Sequence, residues 1–384
     1  MLRLYEQRPV ASIPGIGGSL GAYCRSVSHV DVESRAWRIA HAGLGLDAAF
    51  TAFDELLRSQ VPYAIASWST HDPATGLFTS CTMSGAPKDP AAEAALFRCE
   101  FTAGEPSSYR SLIGGGDSVA ILSAVTDGEL KRATWYREIF RPVGLTDELR
   151  AVLWADGTAW GSATLLRTDG VFDESGVRAV TVIARQAADA VRLALLRAAA
   201  NRPDAVDEPP GVFEVEPGGE VQPSTGPAEH WLDVAGVELV TAVNATAAAI
   251  RAQPEAREAS SRLVLRDGHV LSIHAAETIG DRGTVVVIVD RARPAEVSAL
   301  LVDAYALTAR QREVLGRILL GRSMTEVAYS LGISEHTAND HRKAIYRRMD
   351  VSSRSELAAR LQFEQYDPRV WGDILPSPYG GFLE

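Results

Sequence analysis

The chain has 384 residues, 46% hydrophobic and 23% charged, with three cysteines and a net charge of −11. This length exceeds one compact core of ordinary size and predicts two or three domains of a soluble globular protein. No run of about 18 apolar residues marks a membrane span, no apolar stretch and cleavage site marks a secretory signal, and Cys24, Cys81 and Cys99 are too widely spaced for a disulfide framework; the expected setting is the cytoplasm, with no membrane partner.

An acidic chain argues against nucleic acid until its charge is counted by segment. Residues 306–361 hold ten Lys and Arg against six Asp and Glu, a balance of +4, which leaves −15 for the rest. A small basic module on a large acidic body fits a DNA-binding head whose other domains avoid phosphate.

An N-terminal segment, 1–31, precedes two helical patterns at 32–44 and 47–61; in the second, Phe50, Phe53, Leu56 and Leu57 recur at helical spacing. The period then changes to strands at 63–68 and 77–82 around a turn holding Asp72, Pro73 and Gly76. A helix at 89–99 and an antiparallel pair at 149–154 and 160–167 follow. The stretch 174–200 reads as one long helix, too apolar to stand alone in water. It pairs with its copy in a second subunit or packs under its own domain. The polar, proline-bearing stretch 201–210 is a linker. Beyond it, strands at 211–216 and 220–222, helices at 228–234 and 237–252, and strands at 262–266, 269–275 and 283–289 describe an antiparallel sheet with helices on one face, within 211–292. A connecting helix at 293–306 leads to an all-helical module at 307–362 and a tail at 363–384. The fold class is therefore α+β multidomain: two antiparallel-sheet domains followed by an all-α four-helix domain.

The last four helices carry their own start signals. Thr308 with Gln311, Ser323 with Glu326 and Ser353 with Glu356 have capping-box spacing, and Ser334 caps the remaining helix. Residues 332–334 make a tight turn between the helices 324–331 and 335–349, the geometry of a helix-turn-helix. On the latter helix Ala338, His341, Ile345 and Met349 share one side, while His336, Asn339, Asp340, Lys343 and Arg347 fall largely opposite. Asn339 and Lys343 are placed to read bases; Arg342, Arg347 and Arg348 suit the phosphate backbone. A basic amphipathic helix by itself is equally a solvated face.

The stretches 308–315 (TARQREVL), 321–328 (GRSMTEVA), 331–334 (LGIS) and 354–357 (RSEL), with Thr337 and His341, resemble the LuxR or GerE family across about 55 residues. The resemblance implies a DNA-binding transcription regulator that meets double-stranded DNA as a homodimer, with RNA polymerase a further partner. It also implies that Thr337, Ala338, Asn339, Asp340 and Lys343 face the DNA, which for Ala338 conflicts with the helical wheel. Asp340 departs from what a phosphate-lined groove favours, and sharpens specificity by accepting from a cytosine amine.

The first 200 residues resemble a GAF-like sensor of actinobacterial LuxR-type regulators, through 135–145 (WYREIFRPVGL), 147–150 (DELR) and the Trp160-Gly161 pair; 32–200 is the domain. Residues 211–290 resemble a PAS-like fold through 266–268 (RDG) and 284–289 (TVVVIV). Such folds enclose small molecules, and Tyr63, Trp68, Trp135, Tyr136, Phe140, Trp154 and Trp160 are the candidates to line a ligand cavity. Core filling is the other reading of each. No chromophore signature names a cofactor, and no His pair stands at metal-ligand spacing.

Two rivals remain. A response regulator with degenerate input domains would end in the same module, but this chain lacks a receiver's acidic strand ends. An enzyme that processes a ligand, fused to the module, would need catalytic motifs. Residues 43–48 match GxGxxA after a helical pattern, and 17–21 match GxSxG without a strand before it. Both lack the context that gives those motifs their chemistry.

Overall fold

A computed structural model of the chain describes residues 29–200, 208–253, 255–256, 258–278 and 283–363. The segment 1–31 and the tail lie almost wholly outside the described residues, as do most of the linker and the 17–21 motif.

Helices α1 (His29–His41) and α2 (Leu46–Arg58) open the first unit, and Phe50, Phe53, Leu56 and Leu57 are all buried. Strands β1 (Ile65–His71) and β2 (Phe78–Ser84) are joined by a turn in which Asp72 Oδ1 accepts from the Ala74 amide at 2.9 Å. Helices α3 (Pro90–Glu100) and α4 (Tyr109–Gly115), strand β3 (Val119–Ile121) and the short α5 (Leu122–Val125) precede the long hairpin β4 (Asp147–Ala155) and β5 (Thr158–Arg167). The hairpin turns on Asp156 and Gly157, both at positive φ, a primed turn that matches strand twist. The sheet runs β2-β1-β5-β4-β3, antiparallel throughout.

One face of this sheet is covered by α1, α2 and the 27-residue α6 (Glu174–Ala200). Val180, Ile183, Ala187, Val191 and Leu195 are buried, and among the residues described Arg178, Thr181 and Arg185 are the exposed positions beyond its first two residues. Of the two settings expected for the long helix, the structure shows packing under its own domain, with Val182, Leu193 and Leu196 half-buried.

The opposite face holds a buried ion cluster. Arg150 bonds Glu100 and Glu148, each at 2.9 Å, and its guanidinium stacks between the rings of Trp135 (4.2 Å) and Tyr109 (5.0 Å). Burial pushes the Glu100 carboxyl up, against the pull of Arg150. Burial also opposes the charge of Arg150, but Glu148 and Glu100 together outweigh it.

Near this cluster His71 is 3% exposed, 4.4 Å from the Phe78 ring, with Nε2 at 2.9 Å from Ser162 Oγ. Burial pushes its imidazole down to about 3. The folded state therefore holds His71 neutral while the unfolded chain protonates it near 6.5. Its contribution to stability is complete above about 6.5 and is lost as pH falls toward about 3. Over that window urea melts of the native chain should lose stability relative to His71→Asn by up to about 1.4 kcal/mol per pH unit; parallel curves would contradict this.

The second unit is β6 (Gly211–Val215), β7 (Val221–Pro223), α7 (Gly226–Arg251), β8 (Ala259–Val264), β9 (Val270–Glu277) and β10 (Val285–Arg291). Its sheet runs β7-β6-β10-β9-β8, again antiparallel. Gly236, at φ +56°, kinks α7 between the two helices predicted for this stretch. By length and composition α7 could cross a bilayer. Here that surface lies between the two sheets. Leu239, Val243 and Ile250 pack on Phe213 and Val287, whereas Ala245, Ala248 and Ala249 join Leu77, Phe78 and Phe97 of the first unit.

A buried ion pair adds to this junction. Asp72, beyond β1, accepts from Arg262 of β8 at 2.6 Å, with side chains 1% and 10% exposed. Arg262 also donates to the Glu296 carbonyl of α8 (Pro294–Ala304) at 3.0 Å. The other end of α8 is held by Arg192 of α6, which donates to the Ala304 carbonyl at 2.9 Å.

Candidate nucleic-acid interface

The C-terminal module is α9 (Ala309–Leu319), α10 (Met324–Leu331), α11 (Glu335–Met349) and α12 (Arg354–Ala358). Both predicted boxes at Thr308 and Ser323 form, and Ser334 Oγ accepts from the Thr337 amide at 3.0 Å. At α12 the expected box is altered: Ser353 caps Glu356, but the Glu356 carboxylate reaches one residue further, to the Ser352 amide at 2.7 Å. Gly332, at φ +63°, ends α10 in the left-handed conformation that glycine adopts without strain, and turns the chain into α11.

Val314, Leu315 and Ile318 of α9, Val327 and Ala328 of α10, and Ala338, Ile345 and Met349 of α11 form the module's core with Leu357. The remaining surface of α11 faces outward. His336, Thr337, Asp340, Lys343 and Arg347 are exposed, while Asn339, His341 and Arg342 are half-buried.

The side chains already engage one another. Asp340 lies 3.1 Å from His336 Nδ1 and 3.6 Å from Lys343 Nζ, a clasp along one helix face. Asn339 Nδ2 donates to the Glu335 carbonyl at 2.9 Å. At exposed sites such pairs contribute little, about 0.3–0.5 kcal/mol, so they orient the polar row without locking it.

One expected position is corrected. Ala338 is fully buried against the core, as the helical wheel places it, so its methyl cannot reach a base edge. Arg348 is exposed and also donates to the Ala306 carbonyl. Conversely, Arg322, just before the cap of α10, has a side chain 61% exposed and was not nominated from the sequence. Its signal was its place beside the capping Ser323, since amides at a helix N-terminus also bind phosphate.

Residues 305–361 match the family described as bacterial regulatory proteins, luxR family. The C-terminal module is a LuxR/GerE-type helix-turn-helix domain. YhjB of Escherichia coli (strain K12), an HTH-type transcriptional regulator by name, is 39% identical over 59 residues, 15% of this chain and 30% of YhjB. The transcriptional regulatory protein MctR of Rhizobium johnstonii is 41% identical over 51 residues, 13% of this chain and 24% of MctR. The chain thus spans under a third of these relatives, within the LuxR-type module. Among solved structures, the bacteriophytochrome RpBphP3 of R. palustris is 10% identical, covering 67% of this chain and 61% of its own at a TM-score of 0.32. The LuxR-type receptor VqmA of Vibrio cholerae is 15% identical over 43% of this chain and 88% of its own, at 0.18. Both likenesses are too loose to define an architecture. What stands is a LuxR-type module joined to two antiparallel-sheet domains.

The seven aromatics nominated for a ligand cavity do not come together. Trp68 and Trp160, with half-buried Tyr63, pack in the core under α2 and α6. Trp154 lies with the α3 and α4 core on the other face. Trp135, Phe140 and Tyr136 belong to a third cluster, where the Trp135 indole donates to Glu148 at 2.8 Å. Strand alternation sends Trp68 and Trp154 to opposite faces of one sheet. Of the 43–48 motif, residues 43–45 are the loop into α2 and 46–48 its first turn. Among the described residues no three His, Cys, Asp or Glu side chains gather to hold a metal.

Proposed function

We propose that the chain is a sequence-specific DNA-binding transcription regulator that reads the major groove through α11. The carrying observation is the outward row of Thr337, Asn339, Asp340 and Lys343 on a capped helix of a LuxR-type domain whose core is complete without them. Asn339 and Lys343 read bases, with Asp340 accepting from a cytosine amine. Arg342, Arg347 and Arg322 contact phosphate.

The two sheet domains, GAF-like at 32–200 and PAS-like at 211–292, act as sensors that govern the module through α8. The regulator works as a homodimer on paired half-sites, with the contact between copies made elsewhere than α6. RNA polymerase is its protein partner. No enzymatic step belongs to this reading.

Duplex binding by the full chain tests the proposal. With 6–10 phosphate contacts from two heads, affinity should fall by roughly 10³–10⁵ between about 50 and 200 mM salt. Binding insensitive to salt would overturn it.

A further inference from the structure

A cavity of about 540 Å³ opens where the two sheet domains and the connecting helix meet. Its apolar wall draws on all three: Phe50 of α2, Val191 and Leu195 of α6, Val264 of β8, and Leu300 of α8. Thr70, Thr79, Ser80 and Thr82 of strands β1 and β2 also line it, Thr70 Oγ1 lying 2.7 Å from both Thr79 Oγ1 and Ser80 Oγ, and Thr82 Oγ1 donating to Asp47 at 3.1 Å. The volume is that of a site for a small organic molecule, mostly apolar with a few convergent polar groups.

The charges around it select against an ionic occupant. Arg197, Arg262 and Arg266 are matched by Asp47, Glu238 and Asp267. Arg266 bonds Asp47 at 2.5 Å and Glu238 at 3.2 Å, Arg262 is held by Asp72, Asp267 lies 2.9 Å from His269, and Arg197 donates to the Leu44 carbonyl at 3.2 Å. The lining charges sum to zero, so an ion would exchange its hydration for a site with no net counter-charge, a cost that an uncharged molecule avoids.

We infer that this junction cavity is the chain's effector site, and that it takes an uncharged, mostly apolar small molecule whose hydrogen-bonding group meets the hydroxyl row of β1 and β2. The site differs from the interior of either sheet domain, where the nominated aromatics fill cores. Its reach toward DNA is direct. A molecule against Leu300 touches α8, and the neighbouring Arg262 holds the Glu296 carbonyl of the same helix. Beyond α8, Asp303 pairs with Arg312 of α9 and the Ala306 carbonyl accepts from Arg348 of α11. The inference rests on the regulator reading only for what the occupant controls, not for the site itself.

The test uses the full chain and prodan, an uncharged naphthyl ketone whose emission shifts blue in apolar surroundings. We expect saturable one-to-one binding, weakened at least tenfold by Ala194→Trp, which plugs the α6 wall. Val264→Trp, on the β8 wall, serves should the first variant not fold. Anilinonaphthalene sulfonate, of similar size but anionic, should bind at least tenfold more weakly. Absent saturation, unchanged affinity in a folded plugged variant, or tighter binding of the sulfonate at the plugged site would each overturn the inference. Binding of a random-sequence duplex by the same preparations separates the two readings. Its failure sinks the regulator and leaves the cavity result standing, whereas a prodan failure with duplex binding intact sinks the cavity alone.

Discussion

Arg150→Ala should destabilise the first sheet domain by about 3–5 kcal/mol, enough to leave much of the chain unfolded at 37 °C. Arg150, Glu100 and Glu148 have side chains 6%, 5% and 0% exposed, so solvent cannot screen what the substitution leaves behind. Two carboxylates would remain buried without their counter-ion, and Trp135 and Tyr109 would lose the guanidinium between them. The cost comes from orphaning charge rather than from losing attraction. Removing the charges together, as Arg150→Met with Glu100→Gln and Glu148→Gln, should therefore recover most of the loss in denaturant melts. A single variant as stable as the native chain would contradict this account, as would a triple variant no better than Arg150→Ala.

Asp72→Ala should cost about 3 kcal/mol, the lower end for a broken buried pair because Arg262 stands at the rim of the cavity. The Arg262 amide and guanidinium lose the same carboxylate, with bonds of 2.8, 3.0 and 2.6 Å. Because the pair spans the two sheet domains, its loss should also resolve one unfolding transition into two. Fluorescence-detected urea unfolding in a Trp231→Phe background, which removes the tryptophan of the second domain's core, read against far-ultraviolet dichroism of the whole chain, reports both effects. Coincident transitions at unchanged midpoint would argue that the pair is incidental.

The helix-turn-helix was legible in the sequence because its signals are local. A hydroxyl three residues before its Gln or Glu, a glycine at the turn and apolar residues at helical spacing each act within one or two turns of chain. The long α6 and both antiparallel sheets were legible for the same reason, as periods of 3.6 and 2. What α6 packs against was not, since periodicity reports an apolar face and not its partner. The Arg150 cluster and the Asp72–Arg262 pair were equally hidden. Their partners lie 50 and 190 residues apart, and a charged residue in a strand reads as solvent-facing until the far side is known. The same blindness scattered the seven aromatics into three cores. At α11 a helical wheel placed Ala338 inward, whereas the turn of Arg348 toward Ala306 depends on how the module meets α8.

If α11 reads sequence, duplexes selected from a random library by the full chain should depend on its polar row, and a parallel selection with Asn339→Ala/Lys343→Ala checks this. We predict one enriched motif for the native chain, built of two half-sites, and no enrichment by a double variant that keeps the native melting profile. Enrichment of the same motif by both proteins, or of none by the native chain, would contradict it.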